Sequence, residues 1–292
     1  MLFIQRFVLL MCALGFAATA SAQIKFPQNS PKTSLSYVAG FTGIRIDYER
    51  PTARKREIFG KLVPYDKVWR TGAGSCTKIT FTTPVSIDGK ALVAGTYAIF
   101  SIPGKEEWTF IMNADTSLYG ANDYDEKKDI LRLKLKAEKA GRFYEAMTFD
   151  VDVADNNATV YLAWENTQIH FAVATDANAK AMAAIADLQS GETPAKKPEE
   201  FVTAASYLLM NNGDNATALK LIEQGIAAGA DVSAYTAKIR VLEKLNRKAD
   251  AVAAAKAGME YVKTHAAEKK YDVAGYTKYF ERAITRNSET SK

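Results

Sequence analysis

The chain has 292 residues, a formal net charge of +5 and 48% hydrophobic residues, so it is long enough for more than one domain with a substantial core. The mild positive charge comes without a concentrated basic run or an aromatic nucleic-acid motif, so no nucleic-acid partner is expected. The chain has only two histidines, which excludes a histidine-rich metal site and the H-E-x-x-H arrangement.

The first residues have the three parts of a signal peptide. Arg6 supplies the positive charge, an apolar run extends from Phe7 to Ala18, and the small residues Ala20-Ser21-Ala22 follow. The apolar run is too short to span a bilayer as a helix, and no second long apolar run exists. We therefore predict that residues 1–22 are removed after Ala22 and that the mature chain is periplasmic or secreted, without a transmembrane segment.

Removal of the signal peptide leaves Cys76 as the single cysteine, so no intramolecular disulfide can form. Lone cysteines of this kind are usually small buried hydrophobic residues, and we expect the same of Cys76. Loss of Arg6 lowers the formal net charge to +4.

Residues 31–175 alternate between apolar and polar side chains with a period of two. In one segment Ile44, Ile46 and Tyr48 fall on one face, and Arg45, Asp47 and Glu49 fall on the other. Such alternation is typical of strands with one face on a core and one face in water. Turn signals between the strands predict an antiparallel β-sandwich, with a barrel as the alternative.

The pattern becomes helical after Thr175. A helix and a Gly- and Pro-bearing linker are predicted for residues 176–198, and an α-helical domain for residues 199–286. Six positions in this domain recur at an offset of 33, namely Leu208, Ala216, Ala218, Leu219, Gly225 and Ile226. This period resembles that of tetratricopeptide helix–turn–helix repeats. The predicted fold class is thus α+β, with a β-sandwich followed by tetratricopeptide-like hairpins.

No segment predicts a catalytic, metal or cofactor site. Asp123, Asp125 and Asp129 surround Tyr124, and Asp150 and Asp152 share one strand face, so both groups could serve a carboxylate-dependent hydrolase. Solvated carboxylates on a loop or a water-facing strand are the simpler interpretation of both groups.

The segment from Arg50 to Gly74 contains seven cations interleaved with Phe59, Tyr65 and Trp69. Three of these cations are the candidates for a site: Arg50, Arg56 and Arg70. Arg50 falls on the same side of its strand as the inward-facing apolar residues. A buried arginine is costly unless it is paired. We predict that the three arginines converge on a ligand site with Trp69 or Tyr124 as an aromatic wall. The alternative is a structural ion pairing with the nearby acids Glu49, Glu57 and Asp66.

Several motifs in this region resemble a known family. They are R-P-x-x-x-x-R-x-I-F-G-x-L-V-P-Y-x-K-V-W-R-T-G-A from Arg50, A-G-T-Y-x-x-F-x-I-P across Ala94–Pro103, W-T-x-I-x-N near Trp108, and Tyr119-Gly120-Ala121 before Tyr124-Asp125. Together they closely resemble the domain of unknown function 2911 family, found in exported proteins of Gram-negative bacteria. Tyr119 stands where we expect tryptophan. The resemblance implies export and a fold over residues 30–175, and it implies no activity.

These observations predict a non-enzymatic exported binding module for an anionic or carbohydrate ligand, with a helical domain that contacts protein. Arginine forks match carboxylates and phosphates, and aromatic faces match sugar rings. A carboxylate-dependent hydrolase acting on carbohydrate and a structural assembly subunit are the alternatives.

Overall fold

The computed structural model describes residues 26–190 and 197–288 of the chain. These residues form ten β-strands followed by six α-helices, and the strands build two antiparallel sheets. The predicted α+β fold, with strands first and helices second, is therefore confirmed. The predicted signal peptide and most of the predicted linker lie outside the described residues.

The strands have the following bounds: β1 Lys32–Ala39, β2 Thr42–Glu49, β3 Thr77–Phe81, β4 Val85–Ile87, β5 Lys90–Leu92, β6 Gly95–Ile102, β7 Glu107–Asn113, β8 Asp129–Lys136, β9 Glu138–Ala154 and β10 Asn157–Thr175. The helices are α1 Ala177–Ser190, α2 Pro198–Met210, α3 Asn215–Ala227, α4 Val232–Lys244, α5 Lys248–Lys269 and α6 Val273–Ser288.

The two sheets enclose one hydrophobic core. The larger sheet has the order β1-β2-β3-β6-β7-β8, and the smaller one has the order β5-β4-β10-β9. The alternation read from the sequence appears directly in β2, where Ile44 and Ile46 are fully buried and Arg45 faces outward. The inward side chains of the larger sheet pack with those of the smaller sheet, such as Phe149 and Val160. On the outer face of the same sheet, Ala98 and Phe100 of β6 and Ile111 of β7 form a separate apolar cluster with Cys76.

Strand β10 folds back on itself. The amide of Thr175 donates to the side-chain oxygen of Asn157 over 2.9 Å, and the rings of Tyr161 and His170 lie 5.5 Å apart. Residues so far apart in one strand can meet only if the strand reverses between them. The reversal lies near Glu165, which has a left-handed φ of +50°.

Helix α1 connects the β-sandwich to the remaining helices. The side-chain oxygen of Asn178 accepts a hydrogen bond from Asn156, in the turn between β9 and β10, and another from the hydroxyl of Tyr207 in α2. Gly40, in the turn between β1 and β2, leaves no room for a Cβ atom against Ala177. These contacts hold the start of α1 against the end of the sandwich.

Helices α2 to α6 share a second core and pack as hairpins, consistent with the predicted tetratricopeptide-like repeat. The repeat has a packing reason. A Cβ at Gly225 in α3 would lie 3.1 Å from the Cβ of Phe201 in α2, and a Cβ at Gly258 in α5 would lie 2.9 Å from the Cβ of Tyr235 in α4. Each glycine lets two helices of a hairpin approach closely.

Helix α5 extends to Lys269. It stops where Lys270 adopts a left-handed conformation with φ of 55°. The sequence offers no glycine at this point, so the stop was not apparent from the pattern.

We predict that Gly258→Ala destabilises the helical domain. A Cβ at this position would lie 2.6 Å from the buried ring of Phe280 and 2.9 Å from the Cβ of Tyr235. The usual helix gain of about 1 kcal/mol for alanine over glycine is then outweighed by an overpacking cost of about 1–3 kcal/mol. Urea unfolding followed by circular dichroism at 222 nm measures the difference. Gly141→Ala, with no atom within 4 Å of its Cβ, is the control, and a more stable Gly258→Ala protein would contradict the prediction.

Candidate functional site

The connection between β2 and β3, residues 50–76, leaves the larger sheet, contacts the smaller sheet and returns to the larger one. Near its start the amide of Ala53 donates to the carbonyl of Glu145 in β9 over 2.7 Å. Further along, Trp69 and Ser101 in β6 exchange two backbone hydrogen bonds of 2.7 and 2.8 Å. The connection is therefore fixed to both halves of the sandwich and positions the residues that the sequence singled out.

Arg50 and Arg56 bind different parts of the backbone. The guanidinium of Arg50 is half-buried and donates to the carbonyl of Met147 over 3.0 Å and to the hydroxyl of Thr148 over 2.8 Å, both in β9. The guanidinium of Arg56 is exposed and donates to two carbonyls just before it in the chain. Arg50 thus ties the connection to β9, whereas Arg56 closes a local turn.

Trp69 lies in the core of the sandwich. Its ring is stacked on that of Trp164 at 5.9 Å and lies 6.2 Å from that of Trp108, and Phe59 packs edge-on against the cluster. The indole nitrogen donates to the carbonyl of Gly72 over 3.1 Å. With 8% of its surface exposed, Trp69 anchors the connection and offers little surface to a ligand.

Arg70 follows Trp69 and is half-buried. Its Nε is buried and has no hydrogen-bond partner within the described ranges 26–190 and 197–288. None of the three guanidinium groups forms an ion pair with an acid of the connection in the part of the chain that the structure describes.

Tyr124 belongs to a buried polar network on the outer face of the larger sheet, opposite the core that contains Trp69. Its hydroxyl donates to Asp129 over 2.6 Å, and Asp129 also accepts from Asn113 over 2.8 Å and pairs with Arg132 at 3.2 Å. Burial and then the bond to Asp129 raise the pKa of Tyr124. Asp129 is 6% exposed and already has three partners, so it is a structural carboxylate.

The five predicted residues therefore have separate surroundings: Arg50 on β9, Arg56 on its own turn, Trp69 in the core, Arg70 beside it, and Tyr124 on Asp129. No hydrogen bond or ion pair joins any two of their side chains among the described residues.

A different set of charged residues surrounds a pocket of about 370 Å³ on the outer face of the larger sheet. It lies where β1, β2 and β3 run side by side and where the connection returns to β3. Antiparallel register places Lys32 opposite Glu49 and aligns Ser34, Asp47 and Lys78 in a row across the three strands. Ser75 and Cys76 also line the pocket.

Arg45 and Asp47 form a two-pronged ion pair along β2. Arg45 Nε and Nη2 donate to the two carboxylate oxygens of Asp47 over 2.8 and 2.9 Å. The Arg45 bond, helped by Ser34 and by the charge of Lys78, holds the pKa of Asp47 below its ordinary value. The negative charge of Asp47 is therefore already balanced by Arg45.

The two lysines of the pocket differ from Arg45 in their lack of an ion pair among the described residues. Neither Lys32 nor Lys78 forms an ion pair with another residue in the stretches that the structure describes. Lys32 lies opposite Glu49 in the register, yet the Glu49 carboxylate accepts from the amide of Ser75 over 3.3 Å. The pocket therefore has two ammonium groups available to an incoming anion.

Cys76 lies beneath this pocket with 2% of its surface exposed and forms no disulfide, in agreement with the prediction of a buried hydrophobic residue. Its thiol lies 3.6 Å from the carbonyl of Thr116. Burial raises the pKa of the thiol, which disfavours the reactive thiolate.

The described residues contain no group of three or more His, Cys, Asp or Glu side chains placed to hold a metal ion. None of the helices within the described ranges is both long and apolar enough to cross a membrane.

The comparison with protein families matches residues 30–173 to the family described as Protein of unknown function (DUF2911). Residues 30–173 belong to this family. The matched range begins just before β1 and ends within β10, so the DUF2911 domain is the β-sandwich and includes the whole pocket. No curated protein and no solved structure matches the chain.

Sequence reasoning missed the pocket of the DUF2911 domain, although part of the signal was present. The alternation in β2 places Arg45, Asp47 and Glu49 on the outer face. The contributions of Lys32 and Lys78 depend on β1 and β3 flanking β2, and β3 begins 28 residues after β2 ends. No sequence pattern within a single strand indicates that β1 and β3 both pair with β2.

We predict that Arg50→Ala destabilises the DUF2911 domain more than Arg56→Ala. Loss of the Arg50 guanidinium leaves Met147 and Thr148 without their donor in a half-buried place, which costs about 1–3 kcal/mol. Loss of the exposed Arg56 returns its acceptors to water and should cost less than about 1 kcal/mol. Urea unfolding of both variants gives the two values, and equal effects would contradict the assignment of Arg50 to the structure.

We predict that Arg45→Gln raises the pKa of Asp47 toward the ordinary value for aspartate. Because the pKa of Asp47 is lowered in the folded state, the ion pair stabilises the fold at pH values above the pKa of the unfolded state. This stabilisation is lost as the pH falls through the pKa of the folded state. Carboxyl titration by NMR follows Asp47 in both proteins. Lys136→Gln, on the same sheet outside the pocket, should leave the Asp47 titration unchanged.

Proposed function

We propose that the DUF2911 domain of this chain is a non-enzymatic binding module and that its outer pocket takes a small anionic ligand. The observation that carries the proposal is the pair of lysines, Lys32 and Lys78, that border the pocket without an ion-pair partner among the described residues. Ammonium groups that share a concave surface favour a negatively charged ligand.

The charges around the pocket support an anion. Lys32, Arg45 and Lys78 oppose Asp47 and Glu49, and the negative charge of Asp47 is already balanced by Arg45. A ligand with one negative charge would complete the balance. Lysines act as point charges and tolerate several anion geometries, so this part of the site sets the charge of the ligand more than its shape.

The contacts of the carboxylate beside Tyr124 favour binding over hydrolysis. A glycosidase of the usual kind needs one carboxyl with a raised pKa to act as a general acid. Asp129, the carboxylate beside Tyr124, is engaged by Tyr124, Asn113 and Arg132.

We further propose that the protein acts outside the cytoplasm after cleavage following Ala22, and that its helical hairpins contact a protein partner. The tripartite N-terminus motivates the first proposal. The second rests on the repeated hairpins of α2 to α6, an architecture that exposes extended helix surfaces.

The binding proposal predicts that simple anions bind at the pocket of the full mature chain. NMR titration with acetate, phosphate and tetrahydropyran-2-carboxylate should shift the amide signals of Ser34, Asp47, Ser75 and Lys78. Lys78→Ala and Lys32→Ala should each weaken binding by about tenfold, the usual effect of losing a bond from a charged group. Higher salt should weaken binding too, because the Debye length falls from about 10 Å at 0.1 M to about 3 Å at 1 M.

Lys136→Ala is the matched control, since Lys136 is exposed on β8 of the same sheet and does not line the pocket. It should bind the anions as the parent protein does. Signals that respond elsewhere, or equal loss in the control, would rule out the pocket as the binding site.

A further inference from the structure

We infer that Glu49 makes the pocket selective for an acid that also carries hydroxyl groups, the chemistry of a uronic acid. This inference rests on the proposed function, because it names the class of anion that the two lysines would hold.

The position of the Glu49 carboxylate is the first observation. Lys32 is its direct neighbour in the register of β1 and β2, but the two side chains form no ion pair. Instead, Oε1 of Glu49 accepts from the amide of Ser75 over 3.3 Å. The carboxylate is thus held at the side of the pocket by the returning connection, and the ammonium of Lys32 is left for another anion.

The backbone of the connection is shaped around this carboxylate. Gly74 has a left-handed φ of +57°, and a Cβ at Gly74 would collide with both oxygens and the carboxyl carbon of Glu49. A residue without a side chain therefore allows the carboxylate to lie against the chain. The placement of Glu49 depends on Gly74 and Ser75 and not on a cationic partner.

Glu49 has acceptor capacity left over. An ionised carboxylate can accept about four hydrogen bonds, and the Ser75 amide supplies one long bond. A ligand with donor groups could fill the remaining places. The hydroxyl groups of Ser34 and Ser75 stand at the same pocket and can bond to further hydroxyl groups.

A ligand could offer Glu49 either an ammonium group or a neutral hydroxyl group as the hydrogen-bond donor, and the net charge of the pocket favours the hydroxyl group. The pocket holds three cations and two acids, so an added ammonium group would meet a net positive surrounding. Neutral hydroxyl groups avoid that repulsion. An acid with neighbouring hydroxyls therefore suits the pocket better than an amino acid, and about 370 Å³ lies within the usual range of small-ligand pockets, about 300–1,000 Å³.

Two matched ligands test the inference by isothermal titration calorimetry. Glucuronate and tetrahydropyran-2-carboxylate share a ring and a carboxylate, and only glucuronate has ring hydroxyls. The parent protein should bind glucuronate about tenfold more tightly, the usual gain for hydrogen bonds to a charged group.

Glu49→Gln should reduce this preference at least about fivefold, because a neutral amide accepts more weakly than a carboxylate. Its affinity for tetrahydropyran-2-carboxylate should stay the same or rise, since a negative charge near the bound acid is removed. Glu106→Gln, at an exposed glutamate outside the pocket, is the control and should keep the preference of the parent protein. Thermal unfolding without ligand verifies that both variants are folded.

Equal binding of the two ligands by the parent protein, or an unchanged preference in Glu49→Gln, would overturn the role of Glu49 and leave the anion site standing. Absence of binding by both ligands at the pocket would overturn the anion site as well.

Discussion

The antiparallel register of β1, β2 and β3 is the constraint on which the candidate site depends. Because successive side chains in a strand point to opposite faces, one register decides both what enters the core and what meets water. With Ile46 fixed in the core, Asp47 must face outward beside Ser34 and Lys78. A slip of one residue in β2 would bury Asp47 and expose Ile46, so the hydrophobic core itself holds the charged groups of the pocket in place.

The aromatic cluster around Trp69 has a comparable role for the connection. Trp69 packs with Phe59, Trp108 and Trp164, and it also exchanges backbone bonds with Ser101. The chain therefore has a fixed path from the core to β3. Gly74 and Ser75 lie on that path, which brings their backbone to Glu49. The aromatic cluster and the pocket are thus connected through a few residues of backbone.

Charged side chains inside this domain have partners within the protein, whereas the charged side chains at the pocket are left for a ligand. Arg50 and Asp129 are buried or half-buried, and their hydrogen bonds go to neighbouring protein groups. Exposed Lys32 and half-buried Lys78 have no such partners among the described residues, and Glu49 has only a long bond to an amide. Buried charges need partners within the protein, whereas groups at an open pocket can be served by water until a ligand replaces it.

The sequence by itself determined the fold class, the order of strands and helices and the family, because each rests on local patterns. Alternation in β2 marks a half-buried strand, the 33-residue offset marks paired helices, and the run from Arg50 carries the family motif. The burial of Cys76 was expected because lone cysteines are usually small buried hydrophobic residues. These properties need no knowledge of which segments become neighbours.

Only the tertiary structure decided which charges meet. The inward phase of Arg50 correctly indicated partial burial, but its partners lie in β9, almost one hundred residues away. The composition of the connection suggested a cluster of arginines, and the structure gives Arg50 and Arg56 different backbone acceptors, whereas Arg70 Nε has no partner among the described residues. Lys32 and Lys78 came together because β1 and β3 both flank β2. Strand order is a property of long-range pairing energies, and no pattern within a single strand specifies it.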